Sequence, residues 1–375
     1  MDAAQFGAVL YVFLVSITLM GTAFLALGKD FALSLVRSAS DPFVGLFIGI
    51  LATSIIQSSS ATTSIVIGSV AAVSPGGLDA FMSTAIPIIM GANLGTTVTA
   101  VLVSMGHVRR KEEFRRAFGC AMVHEVFKLT CVAVLFPLEM ATGFLHHAAR
   151  NLAAVLWSSA GGEGGAYGFH SPLKAILKPG ADAVAWFFVP TDPAEASVLG
   201  AVALLLVALV LLFGSLWLMT KIMRRAMVGR AVTLIDNTIG RAPLLGLLVG
   251  FVLTAIVQSS SAVTSIMVPL AGAGVLTLEQ VFPLELGSCL GTTVTGVLAA
   301  LAVGPAGLAV ALTHVLFNLA GIVLVYPVRW VRAKPVQVAR WFAGVAAERK
   351  GYAIAYVIGT FYAIPGLFIL LRAVL

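Results

Sequence analysis

Residues 42–64 read PFVGLFIGILATSIIQSSSATTS and residues 243–265 read PLLGLLVGFVLTAIVQSSSAVTS; aligned without gaps, 13 of these 23 positions are identical. Each stretch is apolar on both sides of a Gln-Ser-Ser-Ser run. Only about 15 apolar residues flank each run, or about 22 Å of α-helix, whereas a spanning helix needs about 20 residues to cross about 30 Å of hydrocarbon. Segments 42–74 and 243–275 therefore read as re-entrant hairpins of two half-helices, each with its polar tip near mid-membrane. The match continues outward from the hairpins. GANLGTTVT at 91–99 answers GSCLGTTVT at 287–295 with seven of nine positions identical, and HEVFKL at 124–129 answers HVLFNL at 314–319. Pro137 and Pro327 close the two copies. The chain is an internal duplication.

Composition agrees. Of 375 residues, 59% are hydrophobic and 10% charged, with a mean hydropathy of +1.03. Soluble domains carry about 25% charged residues, so a soluble enzyme, a disordered tail and a secreted disulfide scaffold are excluded. Full-length spans are expected over roughly 6–28, 80–105, 116–137, 197–220, 278–302, 307–326 and 352–373. The first begins without a basic leader and reads as a retained span. The net charge of +7 and pI near 9.5 do not indicate nucleic acid, because the basic residues lie in the loops. Cys120, Cys131 and Cys289 all lie in apolar stretches with no paired spacing, which argues against a disulfide or a transition-metal site.

The expected fold class is an all-α polytopic membrane protein with two inverted repeats, each a QSSS hairpin followed by a broken transmembrane helix. The expected organisation is a first span and connection (1–41), repeat 1 (42–138), an outside connection (139–196), a linking span with a basic cytoplasmic segment (197–242), repeat 2 (243–327) and an amphipathic segment with a last span (328–375). Inversion follows from loop charge: residues 107–116 and 221–241 carry five Lys or Arg each, while 139–196 carries three basic and five acidic residues. The first hairpin then enters from outside and the second from the cytoplasm, an arrangement that puts a binding site at the midplane in many secondary transporters. Trp186, Phe187 and Phe188 are expected at the outer interface, and Pro365 is expected to disturb the last span.

Polar groups in hydrocarbon are costly unless they line a cavity or lie buried in protein. Gln57, Ser58, Ser59, Ser60 and Gln258, Ser259, Ser260, Ser261 fall where one half-helix ends and the next begins. The second half-helix offers unpaired N–H groups and a partial positive charge, suited to an oxyanion. The carbonyl end of the first suits a small hard cation. The bland reading, small polar residues joining helices, is weakened by the duplication of the run at the break of a too-short hairpin. Glycines in GANLGTT and GSCLGTT are placed to interrupt a membrane helix, although a Gly/Thr packing seam would give the same pattern. Thr96, Thr97, Thr292 and Thr293 supply oxygens, and Asn93 an amide.

Neither hairpin holds a Lys, Arg, Asp or Glu. Neutral donors alone cannot offset a buried multiply charged anion, so cotransported cations are expected to supply the missing charge. One charged cluster lies inside a span: His124, Glu125 and Lys128, with Glu125 and Lys128 three apart and able to meet on one helix face. It reads either as functional or as an ion pair snorkelling near the inner leaflet. His124 and His314 read as packing histidines. Arg109, Arg110, Lys111, Arg115 and Arg116 read as an orientation signal.

These motifs resemble those of the type II sodium–phosphate cotransporter family. The residues that carry the resemblance are IIQSSSATTSIV, AIPIIMGANLGTTVT, EEFRRAF, LFPLE, IVQSSSAVTS, PLELGSCLGTTVTGVLAAL and LFNLAGIVLVYP, from about Phe43 to the C-terminus excluding 143–196. The resemblance implies sodium-driven transport of inorganic phosphate, with no enzymatic activity and no cofactor beyond sodium as coupling ion. It implies that the two QSSS runs bind phosphate, and that sodium is held among Thr63, Ser64, Asn93, Thr96, Thr97, Glu125, Thr264, Ser265, Thr292 and Thr293. Glu125 falls where electrogenic members carry an Asp. Cys289 and Lys128 stand where the family commonly has Asn, which puts an amide ligand and the number of coupled sodium ions in question. The outside connection also lacks the cysteines expected of animal members. Competing readings are a carrier of another small oxyanion or carboxylate, a passive anion channel, and an intramembrane hydrolase using Ser59 or Ser260 with His124 or His314. The Ala-rich composition with short loops suggests a bacterial inner membrane as the location.

Overall fold

The computed structural model describes residues 3–27, 41–73, 75–159, 172–190, 196–238 and 243–374. Its α-helices, in chain order, are α1 (Ala3–Ala26), α2 (Pro42–Ile56), α3 (Ser59–Ser69), α4 (Leu78–Gly95), α5 (Thr97–Ser104), α6 (Lys111–Thr142), α7 (Phe144–Ser159), α8 (Pro172–Ala185), α9 (Val198–Thr238), α10 (Pro243–Val257), α11 (Ser260–Gly272), α12 (Leu278–Gly291), α13 (Thr293–Val303), α14 (Pro305–Val325), α15 (Arg329–Glu348), α16 (Gly351–Ile358) and α17 (Ile364–Val374). No strand occurs among the described residues. Among the described residues seven helical stretches are long and apolar enough to cross a bilayer: Gln5–Ala26, Leu78–His107, Lys111–Thr142, Val198–Ile222, Leu278–Val303, Pro305–Val325 and Gly351–Val374. They coincide with the seven expected spans. The half-helices α2, α3, α10 and α11 are each too short to cross. The molecule is an all-α, multi-pass membrane protein.

Each half-helix pair folds back along the helix that follows it. Helix α2 lies along α4, and α10 lies along α12. Glycine permits both approaches. A Cβ on Gly91 would run into the Leu46 carbonyl, one on Gly49 into the Ile88 carbonyl, and one on Gly95 into the Ile50 carbonyl. In the second copy Gly287 meets the Leu247 carbonyl, Gly250 the Leu284 carbonyl and Gly291 the Phe251 carbonyl. This is the close backbone packing that small residues allow between membrane helices. The expectation that these glycines interrupt the helix is therefore corrected: they form a seam. The interruption is confined to Thr96 and Thr292, whose dihedrals (φ −63°, ψ −30° and φ −66°, ψ −22°) remain right-handed helical.

Around this pair of seams, α14 packs on α3, α4 and α6, while α6 also crosses α11, α12 and the amphipathic α15. Helix α6 continues through Pro137 to Thr142 and stops at Gly143, in the left-handed region at φ 61°. The connection expected over 139–196 thus begins with helix and contains α7 and α8; residues 160–171 and 191–195 of it lie outside the described residues. Trp186 and Phe187 are 76% and 73% exposed. The basic segment 221–241 is helical in its backbone to Thr238, so it extends α9 instead of forming a loop, and its residues 239–241 lie outside the described residues. Pro365 does not break the last span. A π-turn at Gly359–Ala363 precedes it and joins α16 to α17, absorbing the missing N–H.

Overpacking a close seam costs about 1–3 kcal/mol. Gly91→Val and Gly287→Val should each destabilise the purified protein by at least that much, read as a lower melting temperature, since backbone carbonyls cannot yield. Gly106→Ala, where an added Cβ meets nothing within 4 Å, should leave it unchanged. Equal melting of all three would remove the seam.

Candidate functional site

Both hairpins turn on glutamine. Gln57 and Gln258 have φ 59°, the left-handed region, and they alone among the described non-glycine residues have positive φ. That conformation costs an L-residue about 1–2 kcal/mol. The side chain explains its retention. Gln57 donates its backbone N–H to the Thr53 carbonyl at 2.7 Å and Nε2 to the Ser54 carbonyl at 2.5 Å, while Oε1 accepts from Thr99 Oγ1 at 2.9 Å. Gln258 repeats this with the Thr254 carbonyl at 2.7 Å, the Ala255 carbonyl, and Thr295 Oγ1 at 2.7 Å. Each glutamine caps the half-helix that ends on it and ties the tip to the GTTVT motif of its own copy. Tyr362 OH also donates to the Ser54 carbonyl, at 3.1 Å.

The next residue starts the second half-helix. Ser58 (φ −153°, ψ 104°) and Ser259 (φ −155°, ψ 108°) are extended N-caps whose Oγ atoms accept from Ala61 N and Ala262 N, both at 3.2 Å. The helical ladder begins with Thr62 N–H to the Ser58 carbonyl and Val263 N–H to the Ser259 carbonyl. The N–H groups of Ser59, Ser60, Ser260 and Ser261 precede it, at the positive end of each half-helix. Ser60 Oγ lies 3.3 Å from Thr292 Oγ1, joining the first tip to the second copy's motif.

Most of the remaining hydroxyls bond back to their own helix. Thr63 and Ser265 donate to the carbonyls of Ser59 and Ser261, and Thr96 and Thr293 to those of Ala92 and Leu290, whereas Thr97 and Thr264 each have one hydrogen to divide between a carbonyl of their own helix, Leu94 or Ser260, and a buried carboxylate. A hydroxyl whose hydrogen is committed to its own helix presents lone pairs to anything else. Ser64 Oγ is buried with no partner among the described residues.

The charged residues part company. Glu125 is fully buried; it accepts from the Thr97 hydroxyl and from Tyr356 OH at 2.7 Å. Lys128 donates to Asn93 Oδ1 at 2.9 Å and Asn318 Oδ1 at 2.5 Å, and among the described residues it has no carboxylate within 4 Å. The expected meeting of Glu125 and Lys128 does not occur, because Glu125 turns towards α5 and α16 whereas Lys128 turns towards α4 and α14. Nor does Lys128 snorkel, being 2% exposed. Arg116 does more than orient: its Nε donates to the Gly272 carbonyl at 2.9 Å, closing the C-terminal end of α11.

Sequence reasoning passed over Glu285, buried in α12, although an acid inside an apolar span was signal enough. Thr264 donates to its Oε2 at 3.2 Å, His124 Nδ1 stands 3.6 Å from the same oxygen, and Glu285 Oε1 has no partner among the described residues. Asn318 and Tyr356 were also missed, since neither spacing nor composition distinguishes them. His124 Nε2 pairs with Cys289 Sγ at 3.3 Å, and both ring nitrogens of His314 lack partners among the described residues. Neither histidine activates a serine, as a hydrolase would require.

Fold and site together define a polytopic helical membrane protein with paired neutral hairpin tips and buried carboxylates. The chain matches the Na+/Pi-cotransporter family over residues 12–157 and 210–346, and it belongs to that family. It is 33% identical to the sodium-dependent phosphate transport protein 2A of sheep (Ovis aries), covering 96% of this chain and 66% of that protein. It is 31% identical to the human (Homo sapiens) sodium-dependent phosphate transport protein 2B, covering 95% of this chain and 63% of that protein. The chain thus spans just under two thirds of the length of these relatives. No solved structure matches it.

In an ordinary helix Gly is less stable than Ala by about 1 kcal/mol. At Gln57 and Gln258 the order should reverse. Gln→Ala loses the side-chain hydrogen bonds, each about 1 kcal/mol, and keeps the left-handed strain, while Gln→Gly loses only the bonds. Thermal melting of the four variants reads the order directly; Ala above Gly would mean the turn relaxes.

Proposed function

We propose that this chain carries inorganic phosphate across the membrane coupled to sodium, by alternating access around one midplane site formed by two inverted repeats. The observation that supports this best is the pair of matched left-handed turns, at Gln57 and Gln258, with the first tip reaching the second copy through Ser60 and Thr292. Loop charge supports the inversion, with the 42–74 hairpin entering from outside and the 243–275 hairpin from the cytoplasm.

In this reading phosphate lies between the tips. The N–H groups and hydroxyls of Ser59, Ser60, Ser260 and Ser261 face its oxygens, Ser58 and Ser259 fix the helix starts, and Gln57 and Gln258 hold the turns. These groups are neutral, so the anion's charge has to be balanced by ions that travel with it. Sodium takes oxygen ligands: the hydroxyls of Thr63, Ser64, Thr96, Thr97, Thr264, Ser265, Thr292 and Thr293, with Glu125 beside Thr97. We add Glu285 beside Thr264, because its second oxygen is unpartnered in a buried place. Asn93, expected among the sodium ligands, has its oxygen engaged by Lys128.

In proteoliposomes an inward sodium gradient should drive radiolabelled phosphate above its equilibrium level, and an equal potassium gradient should not. Equal flux in both salts would make the protein a channel or assign another driving ion. Ser59→Leu and Ser260→Leu should abolish uptake while the protein stays monodisperse; normal phosphate affinity in both would sink the site assignment. Glu125→Gln and Glu285→Gln should raise half-saturating sodium about tenfold, or about 1.4 kcal/mol, with phosphate affinity at saturating sodium little changed. An unaltered sodium dependence would remove that carboxylate from the cation set.

A further inference from the structure

The two copies are unequal at one point. By the internal match Lys128 answers Asn318 and Asn93 answers Cys289, while Phe127 answers Phe317. The fold brings the polar members together. Asn93 Nδ2 donates to the Ile89 carbonyl and Asn318 Nδ2 to the His314 carbonyl, both at 2.9 Å and both one turn back on their own helix. That leaves both amide oxygens turned to the same spot, where the Lys128 ammonium sits at 2.9 and 2.5 Å. The equivalent rings of Phe127 and Phe317 stand equally far from it, 5.7 Å each. The ammonium therefore lies on the seam between the repeats, where transporters of this architecture bind their ions.

Its surroundings are those of a bound cation. Lys128, Asn93 and Asn318 are 2%, 2% and 1% exposed. A buried ammonium ordinarily pairs with a carboxylate. Here it has two neutral carboxamide oxygens and two aromatic faces, with the Cys289 thiol beside it; Glu125 is engaged by Thr97 and Tyr356, and Glu285, which takes one bond from Thr264 and keeps Oε1 unpartnered among the described residues, forms no ion pair with it. An ammonium serving only to join helices would not need two oxygens aligned beforehand by their own helices.

We propose that the Lys128 ammonium is a built-in cation, filling by its tether a monovalent-cation site made by Asn93 and Asn318, so that each transport cycle moves one sodium ion fewer than an uncharged residue at 128 would allow. The proposal rests on the sodium-coupled reading above. A tethered charge stays when the carrier empties, so one positive charge that would arrive and leave with sodium becomes part of the moving protein.

Equilibrium binding of radioactive sodium to purified protein, without phosphate, tests this independently of transport. Lys128→Asn should bind one more sodium ion per chain than the parent, with a higher sodium Hill coefficient and one more charge per phosphate in proteoliposomes. Lys128→Gln gives a second variant should the first fail to fold. Lys128→Met, with neither charge nor oxygen, should gain no sodium. Unchanged sodium stoichiometry in the folded Asn and Gln variants overturns the proposal. A phosphate KM raised equally at all sodium concentrations, with no sodium gained, also overturns it and makes Lys128 an anion ligand. Parent protein lacking sodium-dependent phosphate uptake would sink the proposed function, while the sodium count would still decide the role of Lys128.

Discussion

A helix that ends inside a membrane leaves carbonyl and N–H groups that hydrocarbon cannot solvate. Everything distinctive in this molecule follows from meeting that constraint four times within two hairpins. On the carbonyl side the answer is internal: glutamine accepts a left-handed backbone, folds its amide back onto the helix it terminates, and is locked by a threonine from the next motif. On the N–H side the answer is incomplete by design. One serine caps one N–H, and the N–H groups of the next two serines remain ahead of the ladder. In the proposed function these groups face the oxyanion. The glycine seams belong to the same solution, since only a close approach of α2 to α4 and of α10 to α12 brings Thr99 and Thr295 within reach of the glutamines.

The duplication builds the scaffold twice but distributes charge only once. Turns, caps, seams and the threonine ties repeat almost atom for atom. The ionisable groups do not: Glu125 answers Val315, Lys128 answers Asn318, and Glu285 answers Ile89. Backbone strain and burial constrain the scaffold in both copies equally, whereas electrostatics acts on the shared centre and needs each charge in one place. A symmetric set would put like charges opposite each other across a low-dielectric interface, which is repulsive.

Much of this was legible in the residues. Apolar runs of the wrong length, a repeated polar break and a repeated motif gave the spans, the hairpins and the duplicated tips, because length and polarity are local quantities. Direction was not legible. Glu125 and Lys128 share a helix and a spacing that permits contact, yet packing sends one to Thr97 and the other between Asn93 and Asn318. The glycines of GANLG looked like helix breakers because sequence alone does not show the Leu46 carbonyl pressed against Gly91. Glu285 is legible as an acid inside an apolar span, but its place beside Thr264 and His124 depends on packing that one helix's sequence does not carry.

The last span completes the asymmetry. It lies outside the duplication, yet Tyr356 donates to Glu125 and Tyr362 to the Ser54 carbonyl, so both tyrosines serve the first copy. Phe368 packs on Phe47 and Phe43, and Arg372 pairs with Asp41 at the foot of α2. The first hairpin is thereby braced from cap to tip by the C-terminal helices. The second is flanked differently: α10 packs against α9, and Leu244, Leu248 and Val252 leave it an exposed apolar flank, 70%, 53% and 38% accessible. Two hairpins with the same internal geometry thus stand in different mechanical settings, and the difference comes from the helices added around the repeat, since the repeat itself is shared.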